Sequence, residues 1–462
     1  MACGIIGIKN NPKAAELAYL GLYALQHRGQ ESVGVVSTDG AEFYEAKDMS
    51  LVFDVIKKGY AKITQLAGDT AIGHVRYSTA GSKKDNINNV QPLYFNDLNI
   101  GDFYIAHNGN LTNFKEIKTK LQSCGANFWT ETDTEIIGHL FTRAVGSLEE
   151  KLIGSLKELN GAYSLIMLTK DSLIGIRDPR GFRPLCLGRF GESYILASET
   201  SVFNTFNLYT LNHSCKEKIA YGRDLDPGEI VLIKNDCIKS THLPDKKHAF
   251  CIFELVYFAR PDSIVFGRPV WPVRENLGRT IARKFKLDAD FVTSVPDSGT
   301  PGTIGYCLES RMPFKPVIFR DHYYSKRTFI DPTQAMRDLG AELKYFPIPS
   351  EIAGKRIVVV DDSHVRGTTS KRIANYLKYF GAKWVALLFT FPPHAYSCFY
   401  GIDTPTNEEL PGHSKTTDEL SGELKQYGAD YVGFLTIDEV VEATGLPKSE
   451  FCLACSTGEY PC

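Results

Sequence analysis

Up to about residue 235 the chain is a series of short apolar runs separated by turn clusters. GIIGI, SVGVVS, AIGHVRYS, DFYIAHNG, AYSLIMLT, SLIGIR, YILAS and EIVLI are rich in β-branched and aromatic residues, and each predicts a strand. Residues 12–26 and 134–145 instead repeat apolar positions at three- and four-residue spacing, which predicts helices packed on those sheets. This part is expected to be α+β. A polar, charged stretch, KNDCIKSTHLPDKKH (234–248), breaks the pattern and marks a domain boundary. Beyond it, FVTSVPDS, PVIF, RIVVVDDS, WVALLFTF and YVGFLT alternate with helical segments. Uninterrupted apolar runs suit strands buried on both faces, so the second part is expected to be α/β with a mostly parallel sheet.

Length fits this division. A chain of 462 residues needs more than one core, and the reading places domains at 3–240 and 241–450, with a tail at 451–462. With 43% hydrophobic and 23% charged residues the composition is that of a folded globular chain. Lys plus Arg number 52 against 54 Asp plus Glu, which gives no overall attraction to nucleic acid or to an anionic membrane. MACGIIGIKNN lacks a basic region followed by a long apolar stretch, and runs such as WVALLFTF are too short to cross a bilayer, so a cytoplasmic protein is expected. Eleven scattered cysteines make a poor disulfide framework and suit a reducing compartment.

Chemistry concentrates first in RIVVVDDSHVRGTTS (356–370). An apolar run ends in two carboxylates, passes a small-residue turn and enters a helix near Ser370; in open α/β sheets ligands bind at such strand-to-helix turns. Backbone N–H groups at the helix start, with the hydroxyls of Thr368 and Thr369, suit a phosphate. Asp361 and Asp362 would repel that phosphate unless they face ribose hydroxyls or a metal ion. For a short DD pair alone, a dinucleotide-type turn with a capping hydroxyl explains the pattern equally well.

The full string resembles the signature of type I phosphoribosyltransferases, and among them the purine-pathway amidophosphoribosyltransferases, which use phosphoribosyl pyrophosphate (PRPP). FVTSVPDSGTPG (291–302), RTFIDPTQAMRDLG (327–340) and FELVYFARPDS (253–263) match in order. The resemblance implies that Asp361, Asp362 and Ser298 hold Mg²⁺ and that Ser363, Gly367, Thr368 and Thr369 bind PRPP, with the 5-phosphate at the last three. It also implies that residues 320–340 form a loop closing over PRPP, with Arg327 meeting pyrophosphate. Closure would exclude water from an oxocarbenium-like transition state. Two positions depart from the family pattern: His364 replaces an apolar residue, and the run before the loop reads Arg320-Asp321-His322-Tyr323.

LQHRGQES (25–32), GHVRYSTAG (73–81), AHNGNLTN (106–113) and TDTE (132–135), together with Cys3, resemble the N-terminal-nucleophile (Ntn) glutaminase domain of amidotransferases. A terminal cysteine can use its own α-amine as proton acceptor, so no histidine partner is required. The resemblance implies that Cys3 attacks glutamine, Asn108 and the Gly109 N–H form the oxyanion hole, Arg76 pairs with the substrate carboxylate and Asp133 with its ammonium. Ala2 would block the Cys3 amine, so processing to Cys3 is expected.

Cys251, Cys398, Cys452 and Cys455 form a further set. A Cys-x-x-Cys pair by itself is open to zinc, an iron–sulfur cluster, redox chemistry or chance. The surrounding segments resemble the family branch that carries a 4Fe-4S cluster on these four positions, implying a brown protein with about four iron per chain.

The resemblance spans nearly the whole chain. It implies an αββα glutaminase domain followed by a phosphoribosyltransferase domain, an enzyme that makes 5-phosphoribosylamine with ammonia passed internally, inhibition by purine nucleotides, and a homotetramer or homodimer. The alternative is a catalytically reduced paralogue that binds PRPP or nucleotides as a regulator.

Overall fold

The computed structural model describes residues 3–77, 86–212, 220–235, 237–321 and 344–462. In the N-terminal half its strands are β1 (Gly4–Lys9), β2 (Ser32–Thr38), β3 (Phe43–Asp48), β4 (Thr70–Arg76), β5 (Leu93–Asp97), β6 (Gly101–Leu111), β7 (Gly161–Thr169), β8 (Ser172–Arg177), β9 (Cys186–Phe190), β10 (Ser193–Ala197), β11 (Ala220–Asp224), β12 (Glu229–Lys234) and β13 (Cys237–His242). They form two sheets, in the orders β11-β9-β10-β1-β4-β2-β3 and β13-β12-β8-β7-β6-β5. Neighbouring strands in both run antiparallel.

Side-chain alternation assembles these sheets into layers. Ile5, Val36 and Ile72 of the first sheet pack on Ala106, Ile166 and Leu173 of the second. The opposite face of the first sheet, with Ile6, Ile8 and Val35, packs on helices Ala14–Ala24 and Ser201–Asn212. The outer face of the second, with Ile105, Leu165 and Met167, packs on Phe114–Ser123, Thr134–Arg143 and Leu148–Leu156. The result is the αββα sandwich of an Ntn glutaminase. The polar stretch at 234–248 contains an edge strand: β13 pairs with β12 while its side chains stay mostly exposed, so the sandwich runs on to His242.

In the C-terminal half, Phe291–Ser294, Arg356–Asp361, Trp384–Phe389 and Tyr431–Phe434 form a four-stranded parallel sheet in that order. Val358, Val360, Ala386 and Leu388 face helices Val270–Lys284 and Ile437–Thr444. Ile357, Val359, Val385 and Leu387 face Thr368–Tyr379 and Thr417–Gln426. The apolar run PVIF lies outside this sheet. Its Ile318–Arg320 pairs antiparallel with Tyr345–Pro347, and Phe319 is exposed, as expected of a ribbon with only one buried face. The tail returns to the start of this half, where Phe451–Cys452 pairs in parallel with Phe250–Cys251. Among the described residues no helix is long and apolar enough to cross a membrane.

Candidate active sites and a four-cysteine pocket

Cys3 immediately precedes β1, where Gly4 stands opposite Val75 of β4. Its Sγ lies 3.8 Å from the Tyr77 carbonyl, and its own carbonyl accepts a hydrogen bond from Arg28 Nε at 3.1 Å. Burial pushes the thiol up, opposed by the nearby Arg76 charge and reinforced by Asp133. A thiol kept neutral in this way needs a proton acceptor at the moment of attack. Asp133 precedes helix Thr134–Arg143; its Oδ2 accepts from Leu111 N at 2.9 Å, and its Oδ1 lies 3.5 Å from His107 Nδ1. Burial alone would raise this carboxyl, but His107 and the Leu111 N–H outweigh it and hold Asp133 below its ordinary value.

Asn108 and Gly109 sit on β6, on the strand segment that also meets Asp133. The Asn108 side chain is 0% exposed, and among the described residues neither Nδ2 nor Oδ1 has a hydrogen-bond partner. An unpaired buried amide is costly in a resting protein and is accounted for by a ligand oxygen that it can bind. Gly109 has no room for a side chain, because a Cβ would lie 2.0 Å from the Ala162 carbonyl. The C-terminal half closes on this same strand. A Cβ on Gly401 would lie 2.8 Å from the Gly109 carbonyl carbon, and Asn110 Nδ2 donates to the Phe399 carbonyl at 2.9 Å.

The second site lies at the carboxyl end of the parallel sheet. Asp361 ends strand Arg356–Asp361, and Gly367, with φ +76°, turns the chain into helix Thr368–Tyr379. Thr368 is exposed and Thr369 half-buried at the open helix start. Ser363 Oγ donates to Asp362 Oδ1 at 2.5 Å, and Asp362 N donates to Asp361 Oδ1 at 2.9 Å. Burial, then the neighbouring Asp362, pushes Asp361 well above the usual carboxylate range. Two adjacent, largely buried carboxylates are a hard oxygen donor set that a divalent cation would stabilise, so they fit Mg²⁺. The turn holding Ser298 packs against them: Val295 N donates to the Val360 carbonyl at 3.1 Å, and a Cβ on Gly299 would meet that oxygen at 2.6 Å. Arg327, His322 and Tyr323 lie outside the described residues.

His364 is buried beneath this loop. Its Nδ1 lies 3.1 Å from Ser370 Oγ and its ring meets Phe389 edge-on, with centroids 5.3 Å apart. Burial lowers its pKa to about 4, so it packs as a neutral ring and adds no charge to the anion site.

Cys251, Cys398, Cys452 and Cys455 line one pocket. The parallel pairing sets Cys251 directly opposite Cys452, and the Cys455 carbonyl accepts from Ala395 N at 2.9 Å and Tyr396 N at 3.1 Å. Burial pushes Cys251 up to about 11 and Cys455 higher still. Four thiols gathered in a largely apolar pocket fit a metal or cluster that stabilises thiolates.

A family model described as a glutamine amidotransferase domain matches residues 74–205. The amidophosphoribosyltransferase of Bacillus subtilis is 39% identical over 99% of this chain and 94% of its own length. That of Methanocaldococcus jannaschii is also 39% identical, over 99% of this chain and 97% of its own length. The solved structure of B. subtilis glutamine PRPP amidotransferase complexed with ADP and GMP superposes with a TM-score of 0.89 at 38% identity, covering 99% of this chain and 97% of that one. The chain belongs to the amidophosphoribosyltransferase family.

A buried ion network that no sequence motif announces joins the two halves of this amidophosphoribosyltransferase-family chain. Arg28 pairs with Glu199 and, at 2.7 Å, with Glu254; Arg183 reaches Glu254 at 3.1 Å and donates twice to the Tyr400 carbonyl, at 2.9 and 2.7 Å. Burial works against the charged form of Glu199, yet His27 and Arg28 hold it far below its ordinary value. Glu254 begins a single π-helical turn, Glu254–Phe258. Its Tyr257 is raised to about 12 by burial and then by Asp362 and Asp361. Lys344, exposed at the surface, lies within electrostatic reach of Arg320, Asp361 and Asp362. Arg28 and Glu254 both sit in segments recognised from sequence, but nothing local pairs residues so far apart along the chain.

Proposed function

We propose that the chain converts PRPP, glutamine and water to 5-phospho-β-D-ribosylamine, glutamate and pyrophosphate, the first committed step of purine biosynthesis. The observation that supports this best is the presence, in one fold, of a buried Asn108 amide near the nucleophile strand, without a partner among the described residues, and a carboxylate-lined anion loop at the parallel sheet.

The Cys3 sulfur attacks the glutamine side-chain carbonyl, and its proton passes to the α-amine exposed by removal of residues 1–2. The oxygen of the tetrahedral adduct accepts from Asn108 Nδ2 and Gly109 N. Collapse releases ammonia and leaves a thioester on Cys3, which water hydrolyses to glutamate. Arg76 and Asp133 hold the substrate carboxylate and ammonium. At the second site Gly367, Thr368 and Thr369 hold the 5-phosphate, and Asp361 and Asp362 face the ribose hydroxyls with Ser363 beside them. Asp361, Asp362 and Ser298 would hold Mg²⁺, which would supply positive charge to offset that of the departing pyrophosphate. Ammonia attacks the anomeric carbon as its bond to pyrophosphate breaks. Arg327 is assigned to pyrophosphate by family resemblance alone.

The four thiolates would carry a 4Fe-4S cluster that ties the tail to the segment between the halves. Because a relative was solved with ADP and GMP, purine nucleotides are proposed as inhibitors here; a cytoplasmic homotetramer or homodimer completes the reading. The test measures PRPP-dependent pyrophosphate release with glutamine and with ammonia, on protein prepared without air, alongside intact mass and iron content. Turnover with both nitrogen donors, a chain beginning at Cys3 and about four iron per chain are expected. Absence of PRPP-dependent turnover with either donor would overturn the assignment, and iron-free, colourless, fully active protein would remove the cluster.

A further inference from the structure

His394 lines the four-cysteine pocket and is 1% exposed. Among the described residues neither of its ring nitrogens has a hydrogen-bond partner. A neutral imidazole carries one N–H donor, and leaving it unmade in an apolar interior costs about 1–3 kcal/mol. The ring is not free to turn toward solvent. Its centroid lies 4.7 Å from that of Phe253, edge-on, and 5.3 Å from that of Phe391. The backbone on either side is also held: His394 N donates to the His364 carbonyl at 3.3 Å, and Ala395 N donates to the Cys455 carbonyl at 2.9 Å.

Arg183, another donor group on the pocket wall, is held by partners of its own. The Arg183 Nε and both terminal nitrogens each donate to the Tyr400 carbonyl or to Glu254, which fixes the guanidinium on those two groups and brings its charge to the pocket wall. Backbone donors already reach some of the thiols: Tyr400 N donates to Cys398 Sγ at 3.3 Å, and the Glu254 and Ala454 backbones serve Cys251 and Cys452. A 4Fe-4S cluster takes four thiolates and presents electron-rich sulfurs, whose hydrogen bonds and burial tune its stability and potential. With four cysteines present, a histidine is not required as a ligand.

Building on the cluster reading above, we propose that His394 is a positioning residue of that cluster, donating its ring N–H to a cluster sulfide or a ligand cysteine sulfur. It anchors the cluster to the backbone that also supports the Asp361–Thr369 loop.

The test compares the intact parent enzyme, purified without air, with His394→Leu and with His394→Asn, which keeps an N–H donor. Iron content, the rate of iron release to a chelator in air, and the midpoint potential are read on each. His394→Leu is expected to load iron yet release it roughly ten times faster or more, with a lower potential, and His394→Asn to recover part of both. An iron-loaded parent whose Leu variant matches it in release rate and potential overturns the role of His394 while leaving the cluster intact. An iron-free parent overturns the cluster reading itself, and this inference with it.

Discussion

Replacing Asn108 by Ala separates a catalytic reading of this residue from a structural one. The side chain is fully buried, and neither of its amide atoms has a partner among the described residues. Among the described residues the truncation therefore breaks no hydrogen bond in the resting protein. It removes a few packed atoms, and relief of an unsatisfied polar group worth about 1–3 kcal/mol offsets much of that loss. Stability to urea should stay within about 1 kcal/mol of the parent. In the reaction the same amide would face a full negative charge, and losing one oxyanion donor costs about 10²–10³ in kcat, or roughly 3–4 kcal/mol. Because the donor acts on the transition state, the KM for glutamine should change little. Steady-state glutamate release measures the glutaminase step, and pyrophosphate release with ammonium salts measures the other site, which should be untouched. Glutamine turnover within about threefold of the parent would refute the oxyanion assignment. An equal loss of ammonia-dependent activity would instead mark a folding defect.

Gly367→Ala forces φ +76° on a residue with a Cβ and brings that atom within 2.8 Å of His364 Cε1; the KM for PRPP with ammonia is expected to rise about tenfold from 1–2 kcal/mol of strain, and an unchanged KM would show that the loop gives freely. Arg28→Met leaves Glu254 with Arg183 alone and Glu199 without its guanidinium partner, so chemical denaturation should reveal a loss of about 3–5 kcal/mol, whereas a loss below about 1 kcal/mol would class the network as dispensable. His74 is buried between the sheets, and burial followed by the Arg76 charge lowers its pKa from 6.5 to about 3. Below its ordinary pKa the unfolded chain binds a proton that the folded chain refuses, so stability falls as pH drops from 6.5 toward 3; His74→Gln should lessen the loss between about pH 7 and about pH 5 by roughly 2 kcal/mol, and identical urea midpoints in parent and variant across that range would contradict this.

The strands read from the sequence are largely those buried on both faces, such as β1, β2, β4, β7 and β8. The strands left out include the edges of both sheets, β3, β11, β5 and β13. Edge strands pair on one side only and keep polar side chains in water, as in FYEAKD and CIKSTH. Their apolar period is therefore erased while their backbone pairing remains. PVIF erred the other way: its Val317 and Ile318 side chains pack beside the parallel sheet while its backbone pairs elsewhere.

By itself the sequence determined what short-range chemistry can specify: alternating layers, a strand ending in Asp361 and Asp362 before a glycine turn, a cysteine ahead of the first strand, and the Cys452–Cys455 pair in the tail. Those features repeat or cluster within a few residues, so they are visible in one dimension. Only the tertiary structure decided what lies against them. It set Gly401 on Gly109, closed Arg28 and Arg183 around Glu254, returned Cys452 to Cys251, and turned His394 from a lone imidazole into a lining group of the cysteine pocket. Each of these pairs residues from distant parts of the chain through buried charge, close backbone approach or an unmet hydrogen bond. Such terms acquire their energy only when folding removes water, and no local pattern encodes which distant group will be there to meet them.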